Sequence, residues 1–334
     1  MTQTFQALVV SEDKDGGMHR QVQTRTLEDL PPGEVVVEVS YSSLNYKDAL
    51  SANGNRGVTR RYPHTPGIDA VGKVYTSCVD EFASGDQVLC MGYDLGMNTA
   101  GGFGRYISVP AAWVMPLPGG LSSLEAMQIG TAGFTAAQCV DRIITLGLHP
   151  NDGPILVTGA TGGVGSLTVR LLSFLGFEIT ALTGKVEQAS FLREIGATHV
   201  LERKNMLQSQ RKMLLRERWA GVVDTVGGDI LATAVKGTCY GGVVTCCGNA
   251  ASGDLPLNVY PFILRGVTLA GIDSAKCPME KRRMLWKKLA SNWRFPGLNE
   301  VARTVMLDRL EDEIIKMLAG KSKGRVVVDL GEGV

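Results

Sequence analysis

What this sequence most lacks is metal-ligand spacing. Its seven cysteines, at 78, 90, 139, 239, 246, 247 and 277, form no Cys-x-x-Cys pair, and only four histidines accompany them. Cys246 and Cys247 are neighbours that a strand would point to opposite faces, so they do not make half of a zinc site either. An odd, scattered set also argues against a disulfide framework and for reduced, mostly buried thiols. Charge of one sign is missing as well. A net charge of +1 gives no global case for nucleic acid or an anionic membrane as partner. The charge-free run Tyr106 to Leu124 contains Pro110, Pro116 and Pro118, which a spanning helix tolerates badly. Met1 to Gly17 has no basic stretch leading into an apolar one, and Glu12 and Asp13 arrive early. The expectation is a cytoplasmic protein without a signal peptide.

Glycine, by contrast, is abundant: 41 in 334 residues, enough for many tight turns and close backbone approaches. The length favours two domains. The first ~120 residues read as short strands broken by turns, with clear strands at Glu34–Ser40, Val71–Tyr75 and Gln87–Cys90. From about Ser122 the texture changes. Leu124–Leu146 reads as packed helices, and a βαβ series follows. Its expected strands are Ile155–Thr158, Glu178–Leu182, His199–Leu201, Gly221–Asp224, Val243–Cys246 and Val267–Ile272. Helices are expected at Ser166–Leu175, Glu187–Ile195, Met206–Arg218 and Met279–Ser291. Arg325–Asp329 is a closing strand whose domain chain order leaves open.

Gly159-Ala-Thr-Gly-Gly-Val-Gly165 lies between an expected strand and an expected helix. That context turns a glycine cluster into a dinucleotide fingerprint, with Thr161, Gly162, Gly163 and Val164 at the pyrophosphate and the helix N-terminus favouring anions. The next strand ends in Thr183-Gly184-Lys185, twenty residues past Gly165 (185 − 165), where an NAD enzyme places an acid. A hydroxyl, a glycine and a cation there, with Arg203 beyond the third strand, suit a 2′-phosphate and hence NADPH. The loop also fits the short-chain dehydrogenase pattern. That family starts with the loop and needs Tyr-x-x-x-Lys, which neither Tyr240 nor Tyr260 provides.

Further motifs run from end to end: Ser43-Leu-Asn45-Tyr46-Lys-Asp48, Pro66-Gly67-Ile-Asp69-Ala-Val-Gly72, Gly85-Asp86-Gln-Val88, Gly130-Thr131-Ala-Gly133-Phe-Thr135, Val223-Asp224-Thr-Val-Gly227-Gly228 and Lys323-Gly-Arg325. In their order and spacing the chain resembles the medium-chain dehydrogenase/reductase superfamily, in its zinc-free quinone-oxidoreductase branch. Within the branch, Leu44–Asp48, Thr183–Lys185 and Leu264–Ser274 resemble bacterial acrylyl-CoA reductases. The resemblance implies an α/β architecture, a Rossmann doubly wound parallel sheet inserted into a GroES-like β-rich catalytic domain. The catalytic domain would span 1–124, with 298–334 returning to it, and the Rossmann domain 125–297. It further implies a homodimer, Thr131, Ile272 and Ser274 near the nicotinamide, and Cys247, Gly248 and Arg325 at the cofactor. Zinc relatives carry ligands where this chain has Asn45 and Gly67-Ile68-Asp69, so no metal is expected.

A metal-free nicotinamide enzyme can send hydride to a β-carbon conjugated with a carbonyl, which asks for hydrogen-bond donors at the carbonyl oxygen. Asn45 and Tyr46 are the expected donors, with Asp48 orienting them. Arg56, Arg60 and Arg61 form a basic cluster expected to meet the phosphates of a CoA thioester. Two alternatives stay open: a quinone or enone reductase, and a non-enzymatic NADPH-binding protein.

Overall fold

The computed structural model describes residues 3–207 and 212–331, and the chain divides into two compact units. The first comprises Met1–Thr131, Ala275–Ser291 and Ala302–Val334; the second comprises Ala132–Ser274 and Asn292–Val301.

Valine-rich strands build the first unit because β-branched side chains suit a pleated surface buried on one or both faces. Val35–Leu44 is its central strand. It pairs antiparallel with Asp69–Ser77, with Tyr106–Val109 and, in the register Val326↔Leu44, with Arg325–Asp329. The position of the C-terminal strand is thereby settled: it closes the first unit's sheet. Val35, Val37, Val39, Ile107 and Val109 form one core cluster with Phe82 and Leu95. A hairpin of Thr4–Glu12 and Met18–Thr26 lies beside this sheet. The helix Met279–Leu289 also belongs here, unlike the expected boundary at 297, because Arg282 and Trp286 sit one turn apart and both bury onto one strand. Arg282 Nη1 donates to the Met91 carbonyl at 3.0 Å and Trp286 Nε1 to Met91 Sδ at 3.1 Å.

The second unit is a six-stranded parallel sheet. Its order is His199–Glu202, Ile179–Thr183, Ile155–Val157, Trp219–Asp224, Thr238–Cys246, Thr268–Gly271. Chain order reverses between the third and fourth of these positions, the switch point at which such sheets take nucleotides. The expected helix Met206–Arg218 does not form as read. A short helix covers Arg203–Met206, and Lys212–Arg218 has no helical turn. There the backbone is tied elsewhere, Leu215 N–H to Lys236 O at 3.0 Å and Arg218 N–H to Gly237 O at 2.9 Å. Residues 208–211 of that expectation lie outside the described residues. No helix of the described residues is long and apolar enough to cross a membrane.

Candidate active site and cofactor cradle

The nucleotide end of the second unit is made mostly of backbone. Gly159 has φ +58°, and a Cβ there would stand 2.3 Å from Thr225 Oγ1; a Cβ on Gly165 would stand 2.3 Å from the Gly159 carbonyl. These clearances let the loop fold tightly beneath the helix Gly163–Phe174. Its first N–H groups, from Gly163 and Val164, have no intrahelical acceptor. Thr161 is buried and Gly162 is the N-cap residue. Free N–H groups at a helix start suit an anion, and Thr161, Gly162, Gly163 and Val164 all lie in this loop.

At the adjoining strand end, Thr183 Oγ1 accepts from the Lys185 N–H at 2.9 Å. The Arg203 guanidinium lies across Gly184, so close that a Cβ at 184 would meet its Nη2 at 3.0 Å. Lys185 and Arg203 therefore converge on one exposed turn. Burial lowers the Lys185 pKa, and Glu187 opposes it. The donor set fits a 2′-phosphate. Ile272 donates its N–H to Cys246 O at 2.9 Å, and Ser274 ends the unit's main segment.

One expectation here needs correcting. Cys247 turns both its N–H and its thiol inward, onto the Asp224 carbonyl at 3.0 and 3.3 Å. A hydrogen bond with Cys139, together with burial, pushes the Cys247 thiol well up. It can offer a cofactor neither group. Gly248 beside it is required to be small, since a Cβ would stand 2.4 Å from the Thr225 carbonyl.

The first unit holds the expected catalytic residues, and they are bound into a buried polar knot whose centre is Asp69. Asp69 Oδ2 accepts from Ser43 Oγ at 2.5 Å, Asn45 Nδ2 at 2.8 Å and the Thr131 N–H at 2.9 Å. Its Oδ1 accepts from Thr131 Oγ1 at 2.6 Å. Arg325 adds the opposite charge at 3.8 Å. The helix Ser123–Thr145 breaks at Gly130, φ +50°, ψ −159°. The break delivers the Thr131 N–H to Asp69, and a Cβ at 130 would sit within 2.7 Å of Arg325, Ser43 and Asp69.

This geometry redistributes the expected roles. Asn45 Nδ2 donates to Ser43 O at 3.1 Å as well as to Asp69, while its Oδ1 accepts from Arg325 Nη1 at 3.2 Å. Both amide hydrogens are thus committed inside the protein, and Asn45 has none left for a substrate oxygen. Arg325 is likewise occupied. It also donates to Leu44 O at 3.0 Å, Ser43 Oγ at 2.6 Å and Gln128 O at 3.3 Å, so it is a strut of the knot and not a ligand for cofactor phosphate. Burial presses its pKa below the usual value against the pull of Asp69 and Asp48.

Asp48 accepts the backbone N–H of Asn45 at 2.8 Å. Its other oxygen accepts the N–H groups of Gly67 and Ile68 at 3.1 and 2.9 Å, pinning the two motif loops together. Burial, reinforced by the charge of Asp69, raises its pKa to about 7. Tyr46 is the contrast. It starts the helix Tyr46–Ala52, is 46% exposed, and its hydroxyl has no protein partner among the described residues.

The arginine cluster is split. Arg56 makes a two-pronged ion pair with Glu12 at 2.5 and 2.6 Å and lies over the Tyr62 ring, so its charge is already neutralised. Arg60 and Arg61 are exposed. Sequence reading passed over Asp69 and Ser43 as site residues. Both were visible only as letters inside the Ser43–Asp48 and Pro66–Gly72 motifs. Among the described residues no group of three or more His, Cys, Asp or Glu is placed to hold a metal ion.

Comparison with known proteins adds independent support. Residues 31–119 match the alcohol dehydrogenase GroES-like domain, and residues 163–291 match a family described as zinc-binding dehydrogenase. The chain is 42% identical over 331 residues to the putative quinone oxidoreductase YhfP of Bacillus subtilis, covering 99% of this chain and all of that one. It is 42% identical over 327 residues to the acrylyl-CoA reductase AcuI of Ruegeria pomeroyi, covering 98% and 99%. A crystal structure of YhdH from Escherichia coli K-12 with bound NADPH superposes with a TM-score of 0.93 at 39% identity, over 97% of this chain and all of that one.

Proposed function

The chain belongs to the medium-chain dehydrogenase/reductase superfamily, and from that premise we propose that it is a zinc-independent, NADPH-dependent reductase of activated carbon–carbon double bonds, converting acrylyl-CoA to propionyl-CoA. The observation that carries the reading is Tyr46: a free, exposed phenol mounted on a helix whose start is clamped by Asp48 and the Asn45–Asp69 knot. Bound NADPH supplies a hydride to the β-carbon. Negative charge then grows on the thioester oxygen, and a donor already fixed in place lowers that barrier without reorganising. Tyr46 is the donor in this reading. Asn45, Asp48 and Asp69 are positioning residues, and the α-carbon takes its proton from solvent or from Tyr46.

Thr161 to Val164 hold the pyrophosphate, and Lys185 and Arg203 the 2′-phosphate. Of the arginine cluster, Arg60 and Arg61 remain to meet the phosphates of the CoA tail. The names of the relatives support both a CoA thioester and a quinone as substrate, and the same cofactor cradle serves either. A homodimer is supported by the free edge strand Thr268–Gly271 and by exposed Val259, Ile263 and Leu264 beside it. A cytoplasmic location suits a chain whose cysteines are all free.

The test is steady-state NADPH oxidation with acrylyl-CoA beside a panel of quinones and small enones. Acrylyl-CoA should give the highest kcat/KM. Tyr46→Phe should lower kcat by roughly 10²–10³ with little change in the KM for NADPH, as loss of one oxyanion donor does. A higher kcat/KM for simple quinones would hand the site to quinone reduction. An undiminished kcat in Tyr46→Phe would remove the tyrosine from the chemistry.

A further inference from the structure

Apart from the sites above, the first unit carries a cavity of about 580 Å3 between a sheet edge and a helix. The edge is the strand Val114–Pro116, which ends the seven-stranded sheet and pairs on one side only, with Gln87–Met91. Pro118-Gly119-Gly120 follows it. Gly120 has φ +96°, and a Cβ there would stand 3.0 Å from the Ala290 carbonyl, so the turn closes on the end of the helix Met279–Leu289. Gly119 opens the other way, since a Cβ there would meet nothing within 4 Å. Met115, Pro116, Pro118 and Ala290 give the cavity apolar walls. Its volume falls within the range of about 300–1,000 Å3 that small-molecule sites occupy.

The helix sets the charge beside those walls. Its inner face is fixed by Arg282 and Trp286 on Met91. Arg283 and Lys287, the next residue of each turn, therefore share an exposed face, where residues four apart are neighbours, and both line the cavity. Arg283 Nη2 donates to Glu81 Oε1 at 3.1 Å. The other guanidinium nitrogens and Lys287 Nζ have no protein partner among the described residues. Two cations thus face one carboxylate, which leaves an unmatched positive charge against an apolar wall. A lysine in the last turn of a helix also complements the helix dipole, but that role does not call for the open apolar surface beside it.

We propose that this cavity binds an aliphatic carboxylate, its chain against Met115, Pro116, Pro118 and Ala290 and its carboxylate at Lys287 and the free side of Arg283. Each half of the ligand answers one half of the site. A bare anion would leave the apolar walls in water, and a neutral hydrocarbon would leave Lys287 unmatched. Covering the walls contributes in proportion to the apolar area removed from water. The charge contributes less, because both cations are exposed and screened. Glu81 works against the ligand: it repels a carboxylate and occupies part of Arg283. None of these residues belongs to the Asp69 knot or to the nucleotide cradle.

The experiment titrates hexanoate, octanoate and decanoate into the full-length protein saturated with NADP+. Binding is followed by calorimetry and by the methionine methyl resonances, that of Met115 being the one missing in Met115→Leu. The expected result is a saturable shift at Met115 and a Kd that falls about two- to fourfold for each added methylene. Octanol should bind about two- to fivefold more weakly than octanoate, and Lys287→Ala should weaken octanoate by a similar factor. Glu81→Gln should tighten it, an outcome that a merely structural Glu81–Arg283 pair would not give. Gly119→Leu, whose side chain has open space to enter, should weaken the whole series. No saturable shift at Met115, no dependence on chain length, or the same octanoate affinity in Lys287→Ala overturns the proposal. The chain-length series in the parent protein decides the matter even if a variant fails to fold. A failed acrylyl-CoA assay leaves this result untouched, because the readout is not activity.

Discussion

Asp224 in the nucleotide-binding unit and Asp69 in the first unit are both fully buried aspartates beside a proposed site, and they are solvated in opposite ways. Asp224 is held by neutral donors: Thr158 Oγ1 at 2.7 Å and the N–H groups of Val226 and Gly227 at 3.2 and 2.8 Å. Two of the three come from its own loop, and burial raises its pKa against them. Asp69 is held by Ser43, Asn45, Thr131 and Arg325, residues 24 to 256 positions away in sequence. The first arrangement stiffens a loop and leaves its outer face open for a ligand. The second consumes almost every polar group near it and leaves one phenol, Tyr46, to face outward. Openness in one unit comes from backbone; in the other, closure comes from side chains.

The largest effect that would break this contrast is on stability. Arg325→Met should cost about 3–5 kcal/mol, because Asp69 would stay buried without its counter-charge and Asn45 Oδ1 without a donor. Urea unfolding measures it, and a loss below about 1 kcal/mol would mean that the knot is not a closed ion network. Next comes Lys185→Ala, where the open design predicts lost binding without lost stability. The KM for NADPH should rise about ten- to a hundredfold, matching a charge-assisted contact of about 1.5–3 kcal/mol, while NADH kinetics and the unfolding midpoint barely move. Equal losses with both coenzymes would make Lys185 structural.

The smallest effect is a slope with pH. Asp48 titrates near 7 in the folded protein, against a usual value of 3.8. Between about pH 4 and 7 the folded state therefore holds a proton that the unfolded state has released. Its contribution to stability is present below pH 4 and is lost as pH rises through 7. Unfolding midpoints should fall across that window in the parent and fall less steeply in Asp48→Asn. Parallel slopes would show that Asp48 ionises normally despite its burial.

Legibility in the sequence followed the same divide. The cradle at 159–165 and the Thr183–Lys185 turn were readable because each is a local backbone arrangement that only particular residues permit, and Arg203 was readable as a cation one strand further on. Asn45 and Asp48 were readable as a pair three residues apart in one motif after the first long strand. Their saturation was not, since it depends on Asp69 and on Arg325, 280 residues beyond Asn45. The cluster Arg56, Arg60, Arg61 misled for the same reason: the partner that neutralises Arg56 lies 44 residues upstream at Glu12. Cys247 was placed correctly at a strand end, but no periodicity reveals that its thiol faces Cys139. The helix Met279–Leu289 was found, and its owner was not, because Met91 is what holds it.

The contact between Gly184 and Arg203 has an evolutionary consequence. In the proposed reading, coenzyme preference rests on two positions at neighbouring strand ends, one of which works by having no side chain. Any side chain at 184 would press on the guanidinium and make it shift by a few tenths of an ångström, and an acid there would pair with the arginine and neutralise it. Descendants of this scaffold that use NADH should carry changes at both positions together.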